Sequence, residues 1–391
     1  MKKILLSFFI LLFASSAMAF DWRPAVNDTL RAHMFRFTEQ FIQQAMGTEA
    51  ERSLKDFLRK QQKIADKQPY AWIEATHAVV AKLKEIYPPR IDDGGQESII
   101  RRNIVKLVDY PLHVNNRAKE TPDAEKEAFN HATNTYLAST RQMALDWLSQ
   151  PAPDSGSVDI CLVYNMGTFI RTNQRTFAMD ICWKGTPEEA AFIAKAIDVI
   201  FVSHPHQDHY TPFLLQAMAD AGKPIVTPAK SLPGFNDRRV IAITSTMFYP
   251  ITVAGIDIRV LHGAQEVGER DSIPNNTYML HFDGFTLINQ GENENIPIQL
   301  QLPVWPRPDI VIAPSWNQIL YFLEPIMRSH GARVNPPLFL PLHQNEMGHR
   351  VQQRESFWEL WNRRDRLGNP DFHYPPYMVM DNGEHFVYKK K

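Results

Sequence analysis

The stretch that decides the fold is Phe201–Tyr210, which reads FVSHPHQDHY. Its first two residues, Phe201 and Val202, form a short apolar run with the preceding Val199 and Ile200. This run leads directly into a polar cluster. Such a run predicts a buried strand, and the cluster predicts a loop at its end. Four potential metal ligands follow the spacing H-x-H-x-D-H: His204, His206, Asp208 and His209.

Imidazole nitrogens and carboxylate oxygens are the donors that a divalent ion such as zinc prefers. The four residues cannot share one ion in an unbroken strand, because neighbouring side chains point to opposite faces. A loop can direct His204 and His206 to one ion, and Asp208 and His209 to a second. We therefore expect a centre for two metals at this point of the chain.

This motif after a hydrophobic strand resembles the signature of the metallo-β-lactamase superfamily. The resemblance implies an α/β fold, a four-layer αββα sandwich, with one or two metal ions. The αββα sandwich is predicted to follow a helical N-terminal region, because residues 20–150 carry apolar side chains at helical spacing. The Pro- and Ser-rich stretch at 151–157 then indicates a linker.

The resemblance also implies further ligands, each at the end of a later strand. His262 follows the predicted strand Ile258–Leu261 and matches the third histidine of the first ion. His343 follows Phe339–Leu342 and matches the last histidine, with His349 as a competing candidate.

The acid that bridges the two ions is where the chain departs from the family. The family usually has Gly-Asp after the hairpin strand, whereas this chain has Gly291-Glu292. Glutamate carries the same charge on one more methylene, so Glu292 is predicted to ligate with an adjusted geometry. If it fails to reach, a single metal remains. Asp180 ends its strand where the family often has an acid that orients the ligand loop.

The first residues are predicted to be a secretory signal peptide. Lys2 and Lys3 precede the apolar run Ile4–Phe13, and Ala17-Met18-Ala19 fits a cleavage site, so cleavage is expected after Ala19. The mature chain is then periplasmic or secreted, with no transmembrane segment. We predict three parts, namely the signal peptide at 1–19, a helical domain at 20–150 and the hydrolase domain at 157–391.

Local patterns place several further elements. Asp159–Tyr164 and Thr176–Asp180 are predicted to form a hairpin, and Asp283-Gly284 predicts a turn between two more strands. Asn317–His330 is predicted to be a helix that Gly331 ends.

Two cysteines, Cys161 and Cys182, lie in β-like segments on either side of a turn. In an oxidising compartment they can form a disulfide or remain two free buried thiols. Neither has a second cysteine nearby, so a zinc–thiolate site is not expected.

The resemblance implies the chemistry of a metal-dependent hydrolase. Two divalent ions lower the pKa of a water between them, and the resulting hydroxide attacks an ester, lactone or phosphodiester. Asp208 is predicted to ligate the second ion and to orient this nucleophile. Zinc is the expected ion, and Mn²⁺ and Fe²⁺ are alternatives.

The order of elements in 310–343 resembles the branch that contains lactonases and the N-acyl-phosphatidylethanolamine-hydrolysing phospholipase D. We therefore expect a small-molecule or lipid-like substrate. The formal net charge of −1 does not suggest nucleic acid as a partner. Two alternatives stay open, a secreted β-lactamase and a non-catalytic binding protein on the same fold.

Overall fold

The change from helical to strand periodicity near residue 150 is reproduced in the computed structural model. The structure describes residues 27–390 apart from 65–67, 69, 230, 233–234, 236, 266–271, 296–306, 317–336 and 367–375. The predicted signal peptide and the predicted helix Asn317–His330 lie outside the described residues.

Five helices precede the first strand, and the others are interspersed with the strands. The helices of the described residues are α1 (Asn27–Gln44), α2 (Glu49–Ile64), α3 (Trp72–Ile86), α4 (Gln96–Leu112), α5 (Asp123–Ser149), α6 (Pro187–Ala196), α7 (Pro212–Asp220) and α8 (Phe357–Arg366), with a 3₁₀ turn at Val351–Gln353. None of these helices is long and apolar enough to cross a lipid bilayer.

The strands follow from residue 157 onward. They are β1 (Ser157–Tyr164), β2 (Gly167–Arg171), β3 (Thr176–Met179), β4 (Val199–Phe201), β5 (Ile225–Pro228), β6 (Val240–Ile243), β7 (Met247–Val253), β8 (Ile256–Gln265), β9 (Ile273–Phe282), β10 (Phe285–Asn289), β11 (Ile310–Pro314), β12 (Leu338–Leu342) and β13 (His385–Lys389).

The strands form two mixed sheets. The first has the order β13-β1-β2-β3-β4-β5-β6, and the second has the order β12-β11-β10-β9-β8-β7. Strands β3 to β6 run parallel, as do β10, β11 and β12. Because parallel strands end at the same edge of a sheet, the loops that follow β3, β4, β10, β11 and β12 can meet there.

Three apolar clusters define four layers. The inner cluster, with Phe177, Phe201 and Leu287, lies between the two sheets. A second cluster packs α6, α7 and the end of α5 onto the outer face of the first sheet. The third packs α1 to α4 and α8 onto the outer face of the second sheet, where it includes Ile288 and Phe339. The αββα sandwich is therefore confirmed, and the N-terminal helices supply one of its helical layers.

One helix takes part in both outer layers. In α5, Phe129 and Ala132 belong to the cluster on the second sheet, whereas Ala144 and Trp147 belong to the cluster on the first. Trp147 Nε1 donates a 2.7 Å hydrogen bond to Asp159 in β1. The long α5 therefore fastens the helical layer to both sheets.

The strand pairing differs from the prediction at one hairpin and agrees at another. Asp159–Tyr164 does not pair with Thr176–Asp180, because β2 lies between them and pairs with both β1 and β3. The strand β2 was not predicted from the sequence. The Asp283-Gly284 hairpin is confirmed, since β9 and β10 are antiparallel and both turn residues have positive φ.

The two cysteines are free thiols in the structure, and both are buried. Cys161 lies in β1 opposite Phe169, and Cys182 Sγ lies 3.1 Å from the carbonyl oxygen of Gln207. The open choice between a disulfide and two buried thiols is thus resolved in favour of thiols in this conformation.

A buried ion pair joins the helical layer to the C-terminal segment. Arg101 in α4 and Glu384 are 5% and 4% exposed, and the guanidinium donates to both carboxylate oxygens. Glu384 also accepts a 2.7 Å hydrogen bond from the Asp381 backbone. Removing one partner of such a pair leaves an uncompensated buried charge.

We predict that Arg101→Leu lowers the free energy of unfolding by about 3–5 kcal/mol, because the buried Glu384 loses both guanidinium hydrogen bonds and, among the described residues, keeps only Lys84 Nζ, 3.9 Å away, as a cation. The control is Arg59→Leu, since Arg59 pairs with Asp56 at the surface, where both side chains are about two-thirds exposed. The control should cost less than about 1 kcal/mol. Denaturant titration compares the two, and equal losses would contradict the prediction.

A second prediction concerns pH. The hydrogen bond from His385 to Asp159, 3.0 Å long, raises the pKa of His385 above its ordinary value, against the effect of partial burial. A raised pKa in the folded state stabilises the protein below about pH 6.5, and this stabilisation is lost as pH rises through the folded pKa.

We therefore expect the parent to be more stable than His385→Gln at about pH 5.5, and this difference to shrink as the pH is raised. His385 is 44% exposed, so the change should stay below about 1 kcal/mol. Denaturant titrations at several pH values measure it. A difference that does not vary with pH would show that the pKa of His385 is not raised.

Candidate metal centre

The candidate site lies where several strands end at one edge of the sandwich. The loop 203–209 follows β4, Asp180 follows β3, Glu292 follows β10 and His343 follows β12. Of the side chains that could bind a metal here, His204, His209, Glu292 and His343 are buried, whereas His206 and Asp208 are partly exposed. The fold thus brings together side chains that are up to 163 positions apart in sequence.

Two groups of metal-ligating side chains form at this edge, and they share one carboxylate. Within each group, one ligand atom per residue lies within 4.8 Å of all the others. The groups are His204, His206 and Glu292, and Asp208, His209, Glu292 and His343. This division is the one predicted from the loop, with Glu292 between the two sets.

Glu292 contacts histidines of both groups. Its Oε1 lies 2.8 Å from His343 Nε2 and 3.0 Å from His209 Nε2, and its Oε2 lies 3.6 Å from His204 Nε2. Asp208 Oδ2 lies 3.4 Å from His343 Nε2. The longer glutamate therefore does reach both groups.

One atom shows that these donors suit a metal. His204 Nε2 is buried and makes no hydrogen bond among the described residues. A buried polar atom without a partner costs free energy, and a bound ion is one way to satisfy such an atom. His204 Nδ1, in contrast, contacts the Ser203 hydroxyl at 3.0 Å, which leaves Nε2 as the nitrogen available to a cation.

The charges of the cluster also favour a cation. Burial raises the pKa of Glu292, but His343 and His209 outweigh it and hold the pKa well below its usual range. Burial lowers the pKa of His343, but Glu292 and Asp208 raise it to about 10. Burial and the neighbouring His209 hold the pKa of His204 well below its usual range. The ionised carboxylates thus attract positive charge, which protons or a metal can supply.

Asp180 fixes the start of the ligand loop. Its Oδ1 accepts a 2.7 Å hydrogen bond from the Ser203 backbone, and its Oδ2 accepts one of 2.9 Å from Asn289 Nδ2. Its Oδ1 also lies 3.5 Å from His209 Nδ1. Asp180 therefore ties the loop after β4 to the end of β10, in agreement with the expected orienting role.

Sequence reasoning missed several residues that hold the ligands. Asn165 Nδ2 donates a 2.8 Å hydrogen bond to Asp208 Oδ2, and Gln265 Nε2 donates one of 2.5 Å to Glu292 Oε2. Ser203 contacts both His204 and His209. These side chains belong to no ligand motif, so only their position in space reveals them.

His262 lies outside both groups at the 4.8 Å spacing. Its Nδ1 lies 2.8 Å from Asn276 Oδ1, so Nδ1 is the donor in this contact and Nε2 is left available to a metal. Its ligand role therefore stays a prediction from the resemblance.

Aromatic side chains border the second group. The Trp316 ring lies 4.8 Å from the His343 ring, and the His349 ring lies 6.0 Å from it. His349 is 47% exposed, and His343 is the residue that joins Glu292 and Asp208. The structure thus distinguishes the two competing histidines, since only His343 belongs to a ligand group.

Comparison with known proteins agrees with this geometry. Residues 167–343 match the Beta-lactamase superfamily domain. No curated protein matches the chain.

Similar solved structures share little sequence with this chain. One is a metallo hydrolase from the archaeon Ignicoccus hospitalis, with 15% identity and a TM-score of 0.44 over 60% of this chain and all of that one. Another is the metallo-beta-lactamase fold protein YhfI from Bacillus subtilis, with 13% identity and a TM-score of 0.39 over 60% and 100% of the two chains.

A third is an isothiocyanate hydrolase from gut bacteria of Delia radicum, with 14% identity and a TM-score of 0.42 over 59% of this chain and all of that one. The matched domain spans the loop 203–209 and ends at His343, the last of the clustered candidate ligands. With the two-sheet sandwich, this match identifies residues 167–343 as a Beta-lactamase superfamily domain.

Proposed function

We propose that the chain is an exported hydrolase with two divalent metal ions that cleaves an ester, lactone or phosphodiester. The observation that carries the proposal is the position of Glu292 in both ligand groups. A carboxylate in this position suits two neighbouring cations better than one, because each of its oxygens faces a different set of histidines. Zinc is the proposed ion, and Mn²⁺ or Fe²⁺ suit the same nitrogen and oxygen donors.

All the proposed ligands except His262 follow the geometry, and His262 follows the resemblance alone. His204, His206 and Glu292, with His262, would hold the first ion, and Asp208, His209, Glu292 and His343 would hold the second. When bound, such ions supply Lewis acidity and lower the pKa of a coordinated water. The Asp208 carboxylate, which accepts a hydrogen bond from Asn165, would ligate the second ion and orient the nucleophile.

The substrate class rests on two features of the chain. No serine nucleophile motif of the G-x-S-x-G type occurs, so the proposed attack needs no acyl-enzyme. The order of elements in 310–343, with β11, then β12 and the histidine that follows it, resembles the lactonase and phospholipase D-like branch. A small-molecule or lipid-like substrate is therefore proposed.

The proposed export of the chain rests on the leader pattern at 1–19. The proposed division of the rest is a helical part at 20–150 and a hydrolase part at 157–391.

The first test is metal binding by variants of Glu292. We expect the parent to bind two Zn²⁺ per chain, and Glu292→Gln to bind one or none, because the shared negative charge is removed. Glu292→Asp should also lose affinity for at least one ion, since a side chain one methylene shorter cannot keep both sets of contacts. Elemental analysis and chelator competition measure this.

Glu127→Gln is the control, because Glu127 is an exposed acid on α5 and should leave the stoichiometry at two. An unchanged metal content in Glu292→Gln would exclude the bridging role. Two ions bound by Glu292→Asp with parental affinity would show that the glutamate length is not required here.

The second test is turnover. The zinc-loaded parent should hydrolyse bis-(p-nitrophenyl) phosphate or members of a lactone panel, and Asp208→Asn should lower kcat/KM by at least about 100-fold. Turnover of nitrocefin alone would instead support the alternative of a secreted β-lactamase. Two bound ions with no turnover of any of these substrates would favour the other alternative, a non-catalytic binding protein.

A further inference from the structure

The loop that carries His343 has an unusual backbone. Among the described residues, six other than glycine have positive φ, and four of them adjoin the site, namely Asn165, Asp180, His343 and Asn345. His343 has φ 75° and Asn345 has φ 56°. Left-handed residues cost about 1–2 kcal/mol each and persist only where surrounding contacts hold them. Something must therefore hold the segment 343–345.

The contacts that hold it come from the N-terminal helical layer. Asn345 Nδ2 donates a 3.0 Å hydrogen bond to Asp109 Oδ1, and Asn345 Oδ1 accepts one of 2.9 Å from His113 Nε2. Asp109 lies near the end of α4, and His113 is the residue that follows this helix. The two residues are four positions apart, so their side chains lie on one face. Together they bond the nitrogen and the oxygen of the Asn345 side-chain amide.

This network is sealed from solvent. Asp109, His113 and Asn345 are each at most 2% exposed. Buried hydrogen bonds of this kind fix geometry, because water cannot replace a partner that is lost. Each of these hydrogen bonds therefore restricts the orientation of the loop more than a similar bond at the surface would.

Asp109 also anchors the segment that follows. Its carboxylate accepts hydrogen bonds of 3.0 Å from the backbone N–H groups of Phe357 and Trp358, at the start of α8. The Asn345 N–H in turn donates a 2.7 Å bond to the carbonyl of Glu355. The Asp109 side chain thus contacts both the loop of His343 and the start of α8.

The opposite side of the loop is held by the first sheet. Glu346 Oε1 accepts a 3.1 Å hydrogen bond from the Tyr164 hydroxyl, and the carboxylate also accepts bonds from the backbone of Gly348 and His349. The segment 343–349 is therefore clamped between β1 and α4. The contacts from α4 and His113 are made with Asn345, two residues after the proposed ligand His343.

We infer that Asp109 and His113 are positioning residues, which hold Asn345 so that the His343 imidazole meets Glu292 and Asp208. The helical layer is then part of the metal site and not only a cover for the second sheet. This inference rests on the proposed metal centre. It predicts that a change at the C-terminal end of α4, at a residue that contacts none of the proposed ligands, alters the affinity for the metal.

The test uses the full chain and Co²⁺, whose visible absorption reports the ligand geometry. His113→Phe removes the bond to Asn345 Oδ1, and His113→Gln can restore it through the glutamine amide. Asn345→Gly keeps positive φ accessible but removes both side-chain bonds. We expect His113→Phe and Asn345→Gly to bind the second Co²⁺ about 10–100-fold more weakly, with an altered spectrum, and His113→Gln to recover most of the affinity.

The matched control is Asn103→Ala. Asn103 is a buried polar residue of the same helix, and its amide bonds Gln44 in α1, away from the loop. This variant should lower Tm but leave the Co²⁺ affinity and spectrum unchanged. Tm measured for all variants separates a loss of fold from a loss of positioning.

The outcomes are distinct. If the parent binds two Co²⁺ and the His113→Phe and Asn345→Gly variants bind them with the same affinity and spectrum, the positioning role is wrong and the proposed centre stands. If Asn103→Ala weakens Co²⁺ binding as much as His113→Phe, the effect is general destabilisation, and the inference is also wrong. If the parent binds no Co²⁺, the metal centre itself is overturned, and the inference with it.

Discussion

The whole site depends on burying the carboxylate of Glu292 among histidines. An ionised carboxylate at 3% exposure is stable only if positive charge or N–H donors surround it closely. The imidazoles of His343 and His209 provide this at 2.8 and 3.0 Å. They can do so only because the strands that carry them end at the same edge, so the electrostatic requirement of one side chain constrains the arrangement of both sheets.

The sandwich supplies that arrangement through its packing. Its inner core fixes the distance between the sheets, and the buried ends of β4, β10 and β12 then place their loops within reach of one another. The short hydrogen bonds of Asp180 tie two of these loops together. Rigid strands thus position the ligands, and polar side chains without ligand chemistry of their own limit how far the ligands can move.

The N-terminal helices have a larger part in this than a separate domain would. They form the layer over the second sheet, share its apolar core and are joined to the C-terminal segment by the buried pair Arg101 and Glu384. Through Asp109 and His113 they also contact the loop of His343. Stability and site geometry are therefore coupled in this chain, because the same helix contributes to both.

The sequence alone predicted the sandwich fold and most of the side chains that cluster at its edge. The H-x-H-x-D-H motif after an apolar run, and histidine or acid at later strand ends, depend on local pattern and chemistry that can be read along the chain. The tertiary structure decided whether Glu292 reaches both groups, that His343 and not His349 joins them, and that Asn165, Gln265 and Asn345 support them. These depend on distances between segments far apart in sequence, which packing sets and no local pattern records.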